Sequence, residues 1–299
     1  MRFRIEHSTR FTYEKPAYES HNEARLRPLD GPAQRCLAFE FEVEPSAPRF
    51  EYDDYFGNRV VAVSVHPPHG SLALVARSLV EMTEVGVGIK PPVPFAQFLL
   101  GDEMRSKLYC EFLDASRFVP FSRRLRRFFW SARPHKDEDV ADYVMRTVCY
   151  IRDQFGYDQG STDVHSSLDD ILTSGGGVCQ DFAHLTLGVL RLAGVPARYV
   201  SGYLASLTDT ADREQASHAW IEALLPGEGW TGFDPTHRCR TDLRHIRIAI
   251  GRDYVDAAPL RGVFRSSAGN QRMMVKLDVS PVPAVSDELP PVGGMQSQQ

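Results

Sequence analysis

The sequence predicts an α+β fold in two parts: an N-terminal antiparallel β domain, then a core in which a nucleophile-bearing helix packs on an antiparallel sheet. Three observations carry that prediction. From Arg2 to about Thr83 apolar residues recur with period two, as on strands with one face buried. From about Phe95 to Phe155 the spacing changes to three and four, the period of a helix. Finally Gly175-Gly176-Gly177 runs straight into an apolar helical stripe, which two alternating segments follow. With 299 residues, 42% of them hydrophobic, the chain can fill two modest cores.

In the first part Phe3-Ile5, Phe11-Tyr13, Leu37-Phe39-Phe41-Val43 and Val61-Val63-Val65 alternate, punctuated by Pro28, Pro32, Pro45, Pro48, Pro67 and Pro68. Phe56-Gly57-Asn58-Arg59 lies between two such runs, where glycine and asparagine supply the positive φ angles of a tight hairpin. Pro91-Pro92-Val93-Pro94 breaks the pattern and sets a boundary near residue 90. Residues 1–90 are therefore expected to form the β-rich domain and 91–280 the core. Within the helical stretch Val140, Val144, Val148, Ile151 and Phe155 share a face, and Asp137-Glu138-Asp139 sit near its positive end. Residues 281–299, polar and proline-bearing, are expected to be a disordered tail.

A net charge of −5 opposes nucleic acid or an anionic membrane as a partner, since both are bound through clustered positive charge. The run Arg123 to Trp130 is basic and aromatic but stands alone, and is read as a solvated helix face beside a buried aromatic cluster. Met1 to His7 contains no apolar run of signal-peptide or membrane-span length, which leads us to expect a cytoplasmic protein. Cys36, Cys110, Cys149, Cys179 and Cys239 are too scattered for a disulfide framework, and a reducing compartment suits a free thiol. The glycine run lacks both the lysine of a phosphate-binding loop and the spacing of a dinucleotide fingerprint, so no cofactor is expected. A zinc site from Cys179, His184, His237 and Cys239 can be drawn, but its spacings match no zinc template and no metal is expected.

Phe182, Leu185, Thr186, Val189 and Leu190 form a stripe at helical spacing that Gly194-Val195-Pro196 ends, which places Cys179 in the first turn. There the helix dipole and unpaired N–H groups favour a thiolate, the glycines admit a substrate carbonyl, and the same N–H groups can hold an oxyanion. His218 opens the alternating run to Leu224, Pro226-Gly227-Glu228-Gly229 turns the chain, and Trp230 to Pro235 returns. Pairing Leu225 with Trp230 would throw His218 and Asp234 onto opposite faces. A glycine bulge at Gly229 pairs it with Leu225 instead, sets His218 opposite Thr236 and leaves Asp234 diagonal on the same face. Cys179 is then the nucleophile, His218 its base and proton carrier, and Asp234 the group that orients His218. Asp181 and His184 lie off the nucleophile's face and are read as packing residues. Cys36, Cys110 and Cys149 are read as core. His245 and Gly251-Arg252-Asp253-Tyr254 can wall the cleft or serve structure, and Trp220, Trp230 and Tyr203 can line an acyl-donor groove, though core packing explains them equally well.

The segments GGGVCQDFAHLTLGVLRLAGVPARYVSGYL and SHAWIEALLPGEGWTGFDPTH resemble the core of the transglutaminase-like superfamily, in the order Cys, His, Asp. HIRIAIGRDYVDAAPLRGVF and DYFGNRV resemble the continuation and the N-terminal β domain of its bacterial members. The resemblance implies a papain-like fold among transglutaminases, peptidases, amidases and peptide N-glycanases, with bacterial members of this type described as cysteine proteases. It assigns Cys179, His218 and Asp234 as the triad, and the aromatic oxyanion donor of the animal enzymes makes Tyr157 a candidate. Their calcium sites and additional β domains have no counterpart in this sequence. The function expected is thiol-dependent hydrolysis of a peptide or side-chain amide in a peptide or protein substrate. An amine acyltransferase and a non-catalytic binding module are the alternatives.

Overall fold

The protein is described by a computed structural model covering residues 1–84, 91–99, 101, 107–158, 167–206, 217–267 and 270–282. The alternating N-terminal segments form β1 (Arg2–Ala24), β2 (Gln34–Glu44), β3 (Arg49–Asp53), β4 (Arg59–Val65) and β5 (His69–Met82) in the order β2-β5-β1-β4-β3. Period two sends Phe3, Ile5, His7, Thr9, Phe11 and Tyr13 of β1 inward on one face. The β3–β4 turn is closed by Asp54, whose Oδ1 accepts the N–H groups of Phe56 and Asn58 at 3.0 and 2.9 Å.

The expected helical stretch is interrupted. It contains α1 (Phe95–Phe98), a 3₁₀ segment (Lys107–Phe112), α2 (Arg123–Ala132) and α3 (Val140–Gln154). Pro120 precedes α2 and Pro134 follows it, and Arg133 adopts the extended backbone that a residue before proline favours. α3 starts where Asp139 accepts the N–H groups of Ala141 and Asp142. Then come β6 (Gly156–Tyr157), α4 (Leu168–Ser174), β7 (Gly176–Gly177), α5 (Cys179–Ala193), β8 (Ala197–Leu204), β9 (Ser217–Leu225), β10 (Gly229–Asp234), β11 (Cys239–Arg240), β12 (His245–Gly251) and α6 (Tyr254–Ala257). The core sheet is antiparallel in the order β11-β10-β9-β8-β12. α5 lies between that sheet and α2 and α3, with Phe182, Ala183, Leu185, Leu187, Val189 and Leu190 fully buried. Burying each of the larger of these side chains stabilises by about 1.5–3 kcal/mol, which holds the helix that carries Cys179 against the sheet. No described helix is long and apolar enough to cross a membrane.

The chain's end departs from the expected core limit at residue 280. β13 (Leu260–Ser266) and β14 (Gln271–Val282) leave the core and pair with β1, completing a seven-stranded first sheet. β1 is long enough to offer each a separate half, β14 against Arg2–Tyr13 and β13 against Ala17–Ala24. Pro281 and Val282, expected in the tail, end β14 opposite Phe3 and Arg2, while residues 283–299 lie outside the described residues.

β12 is an edge strand of the core sheet, and the first sheet satisfies its outer edge with side chains. Gln34 Nε2 donates to the Arg247 carbonyl and Gln34 Oε1 accepts the Arg247 N–H, both at 2.8 Å. Asn58, wholly buried, does the same at Ile250, again at 2.8 Å on both bonds. Two amides thus replace a neighbouring strand and leave no orphaned backbone group at these positions. Phe3, Ile5, Val80, Tyr203, Ile246, Ile248 and Val279 form an apolar seam across both sheets, and Tyr203 Oη lies 2.7 Å from His7 Nδ1 within it.

Candidate active site

The β9–β10 hairpin has the shifted register that a shared His218–Asp234 face requires. Gly229 pairs with Leu225, and the ladder runs on to Phe233 opposite Ile221. Gly229 has a φ of 73°, which a side chain would strain. Asp234 consequently points back toward the first residue pairs of β9, and its Oδ2 lies 2.8 Å from His218 Nε2.

Cys179 is the first residue of α5, half-buried, with Val178 as the extended N-cap. Asp181 turns back so that its Oδ2 accepts the Val178 N–H at 2.9 Å, a packing role at the helix start. A Cβ on Gly177 would come within 2.8 Å of that same carboxylate oxygen, so only glycine lets the chain enter the helix this way. The Cys179 side chain lies beside His218 and favours its protonated form, and with Nε2 committed to Asp234 the ring nitrogen left for the sulfur is Nδ1.

Asp234 is fully buried and saturated with donors. Its Oδ2 receives His218 Nε2 at 2.8 Å, His237 Nδ1 at 2.7 Å and His245 Nε2 at 3.2 Å. Its Oδ1 accepts the backbone N–H groups of Thr236 at 2.8 Å and His237 at 3.2 Å. Burial opposes its charge, but the hydrogen bonds from His218, His237 and His245 hold the carboxyl well below the usual carboxylate range. At His218 burial likewise opposes charge, yet the hydrogen bonds and negative charge of Asp234 and Cys179 win and push the ring up to about 10. His218 is therefore held as an imidazolium beside the Cys179 sulfur at neutral pH.

Tyr157 pairs with Gly177 across the short parallel β6–β7 ladder, so its backbone runs beside the approach to Cys179. Its ring is partly exposed and stands edge-on to Phe182 with centroids 6.1 Å apart. The four imagined zinc ligands do not converge. His184 stacks on Phe118 at 5.3 Å and accepts the Tyr254 N–H at Nε2, while His237 and Cys239 approach Asp234 in two different groups. The 2.7 and 2.8 Å separations around Asp234 Oδ2 are hydrogen bonds, shorter than the roughly 3.3 Å between two ligands of a tetrahedral zinc.

The sequence offered His245 as a cleft wall or a structural residue and His237 as a ligand of an atypical metal site, whereas both bind the Asp234 carboxylate. The sequence signal for His237 was its place three residues after Asp234, the reach of a turn that closes on its own first side chain. Trp220 packs beside both His218 and His245, with centroids 6.0 and 5.3 Å away. Trp230 lies apart from them, against Phe112 and under the Arg198 guanidinium. The Gly251–Tyr254 turn serves structure: Asp253 caps α6 and accepts the Phe118 N–H.

Two family profiles match the chain. Residues 3–81 match the bacterial transglutaminase-like N-terminal region, and residues 131–235 match the transglutaminase-like superfamily. An uncharacterized protein of Mycobacterium leprae is 36% identical over 270 residues, covering 88% of this chain and 93% of its own. A provisionally named cysteine protease from Cytophaga hutchinsonii shares the fold, with a TM-score of 0.71 at 24% identity over 95% of this chain and 92% of that one. A protein-glutamine gamma-glutamyltransferase of Pseudomonas aeruginosa is 36% identical over 77 residues, which is 24% of this chain and 12% of that protein.

Proposed function

Because this chain belongs to the transglutaminase-like superfamily, a membership that supports thiol-dependent catalysis, we propose that it hydrolyses a peptide or side-chain amide through a Cys179 thioester. The observation that carries the reading is His218 held between the Cys179 sulfur and Asp234 Oδ2. The thiolate attacks the amide carbon, and the new oxyanion rests on the N–H groups at the start of α5, with Tyr157 beside them. As the C–N bond breaks, His218 gives its proton to the departing amine, leaving the acyl group on sulfur. Neutral His218 then takes a proton from water, hydroxide adds to the thioester, the acid leaves, and the sulfur returns as thiolate beside imidazolium. Asp234 stays ionised throughout and holds the ring in place.

In the second reading an amine replaces water at the thioester. It draws on the matched segment of the glutamyltransferase and needs no change in the triad. Alkylation of Cys179 by iodoacetamide against pH, read by peptide mass mapping, tests the common part. Wild type is expected to react well below pH 8, and His218→Ala or Asp234→Ala to lose that advantage. Ordinary thiol behaviour in all three would transfer the weight to a binding module. Given a reactive Cys179, the partition of an acylated enzyme between water and an added primary amine separates hydrolase from transferase.

A further inference from the structure

Asp234 carries more imidazole than a triad needs. One oxygen receives three rings, and the ring nearest to it belongs to His237, whose side chain is half-exposed. His237 binds both oxygens of the carboxylate, the ring at Oδ2 and the backbone N–H at Oδ1. The next residue, Arg238, has a φ of 55°, a left-handed conformation uncommon outside glycine, and its guanidinium pairs with Asp153 of α3 at 2.6 Å. The turn is thus pinned from outside in the shape that aims the His237 ring inward.

We propose, on the thiol-enzyme reading above, that His237 is a positioning residue that fixes Asp234 and draws off part of its negative charge, thereby setting the pH range over which His218 stays protonated. A carboxylate that shares its charge among several donors attracts each of them less. His237 consequently restrains the imidazolium of His218, which must surrender its proton to the amine and then act as a neutral base. His245 helps from the opposite side: its Nδ1 accepts the Asp242 N–H at 3.1 Å, which leaves Nε2 as the donor to Asp234. The charged and titratable groups around the pair are Cys179 on α5, Cys239 on β11, Asp242 and Arg244 before β12, His245 on β12, and the Arg238–Asp153 ion pair.

The test uses His237→Leu, which fills the space of the ring without a donor, and His237→Asn, whose Nδ2 stands where the imidazole Nδ1 stood. Cys179 is alkylated with iodoacetate, an anion whose rate falls when the neighbouring imidazolium loses its charge, and the upper inflection of the rate-against-pH curve is recorded. His237→Leu is expected to move that inflection up by about half a unit to one unit, because Thr236 and His245 still hold Asp234 in place while its charge is less shared. His237→Asn is expected to return it to the wild-type position. An inflection that is unmoved or lowered in His237→Leu, in protein that circular dichroism shows folded, overturns the proposal. So does an Asn variant that behaves like Leu. A wild-type curve lacking any dependence on His218→Ala instead defeats the thiol-enzyme reading, and this proposal with it.

Discussion

His184 and His218 are both buried in the same core, and their charges are driven in opposite directions. His184, in the second turn of α5, stacks on Phe118 and accepts a single backbone N–H from Tyr254. Burial lowers its affinity for a proton, and it falls to about 3, although the Asp253 charge works the other way. The Asp253 oxygens are already occupied by the N–H groups of Phe118 and Val255. His218 suffers the same burial but has an ionised carboxylate at 2.8 Å and a thiol on its other side, and it rises to about 10. Desolvation is common to both rings; a carboxylate hydrogen-bonded directly to the ring decides which one is a cation.

The sharpest way to break the contrast is to remove that carboxylate. Asp234→Ala should turn His218 into a second neutral histidine and cut Cys179 alkylation near pH 6 by about a hundredfold, the ratio expected between a formed thiolate and an ordinary thiol. It also leaves the His218, His237 and His245 donors around a vacated buried anion, for a loss of about 3–5 kcal/mol in urea denaturation. Asp234→Asn keeps the shape, so its alkylation defect should match that of Ala while its stability loss is smaller.

Acid exposes the other half of the contrast. The folded-state proton affinity of His184 lies below its unfolded value of 6.5, so the unfolded chain binds a proton first and stability falls from about pH 6.5 toward pH 3. The contribution lost is on the order of 5 kcal/mol, with buried His7, lowered to about 4, adding to the slope over the upper part of that window. His218 has the reverse sign: its contribution is complete below 6.5 and is lost as pH rises toward about 10. His184→Gln should flatten the acid limb of a stability curve and leave the alkaline limb alone. A parallel shift of both limbs would contradict the separation.

How much of this was legible in the sequence follows the same division. The β9–β10 register was readable because only a bulge at Gly229 lets His218 and Asp234 share a face, and two alternating segments flank the turn. The Cys179 helix was readable from a stripe with a glycine run before it and Gly194 after it. Less visible was the return of β13 and β14 to the first sheet: Val263, Met273, Met274 and Val275 are exposed, so the alternation that marks a buried strand face is absent there. The clamp of Gln34 and Asn58 on β12 was hidden for another reason. It joins side-chain amides to backbone groups about 190 to 210 positions away, and no local period records such contacts. His245 reaches Asp234 by sheet topology, which the spacing of residues does not encode.

A steric change tests whether the surroundings of His218 can be disturbed without touching His184. A Cβ on Gly202 would lie 2.2 Å from the Ile246 carbonyl oxygen and 2.4 Å from the Trp220 ring, which packs beside both His218 and His245. Gly202→Ala should cost about 1–3 kcal/mol through overpacking and lower Cys179 reactivity by displacing Trp220. The part of the acid limb between about pH 6.5 and 4, where His184 and His7 act, should keep its shape.

The smallest expected effect concerns a second thiol beside the same carboxylate. Cys239 pairs with Asp234 across β10 and β11, and burial together with the negative charges of Asp234 and Asp242 pushes it up to about 11. An anion that favours a proton on His218 also disfavours loss of the proton from Cys239, so one carboxylate charges the imidazole beside Cys179 and silences the second thiol. What separates the two cysteines is the imidazole placed between Asp234 and Cys179. Asp234→Asn should therefore have opposite effects in a single alkylation experiment: Cys179 slows, while Cys239 quickens by about a few-fold near pH 8. If both thiols slow together, the variant has changed access to the site, and the electrostatic account of the pair fails.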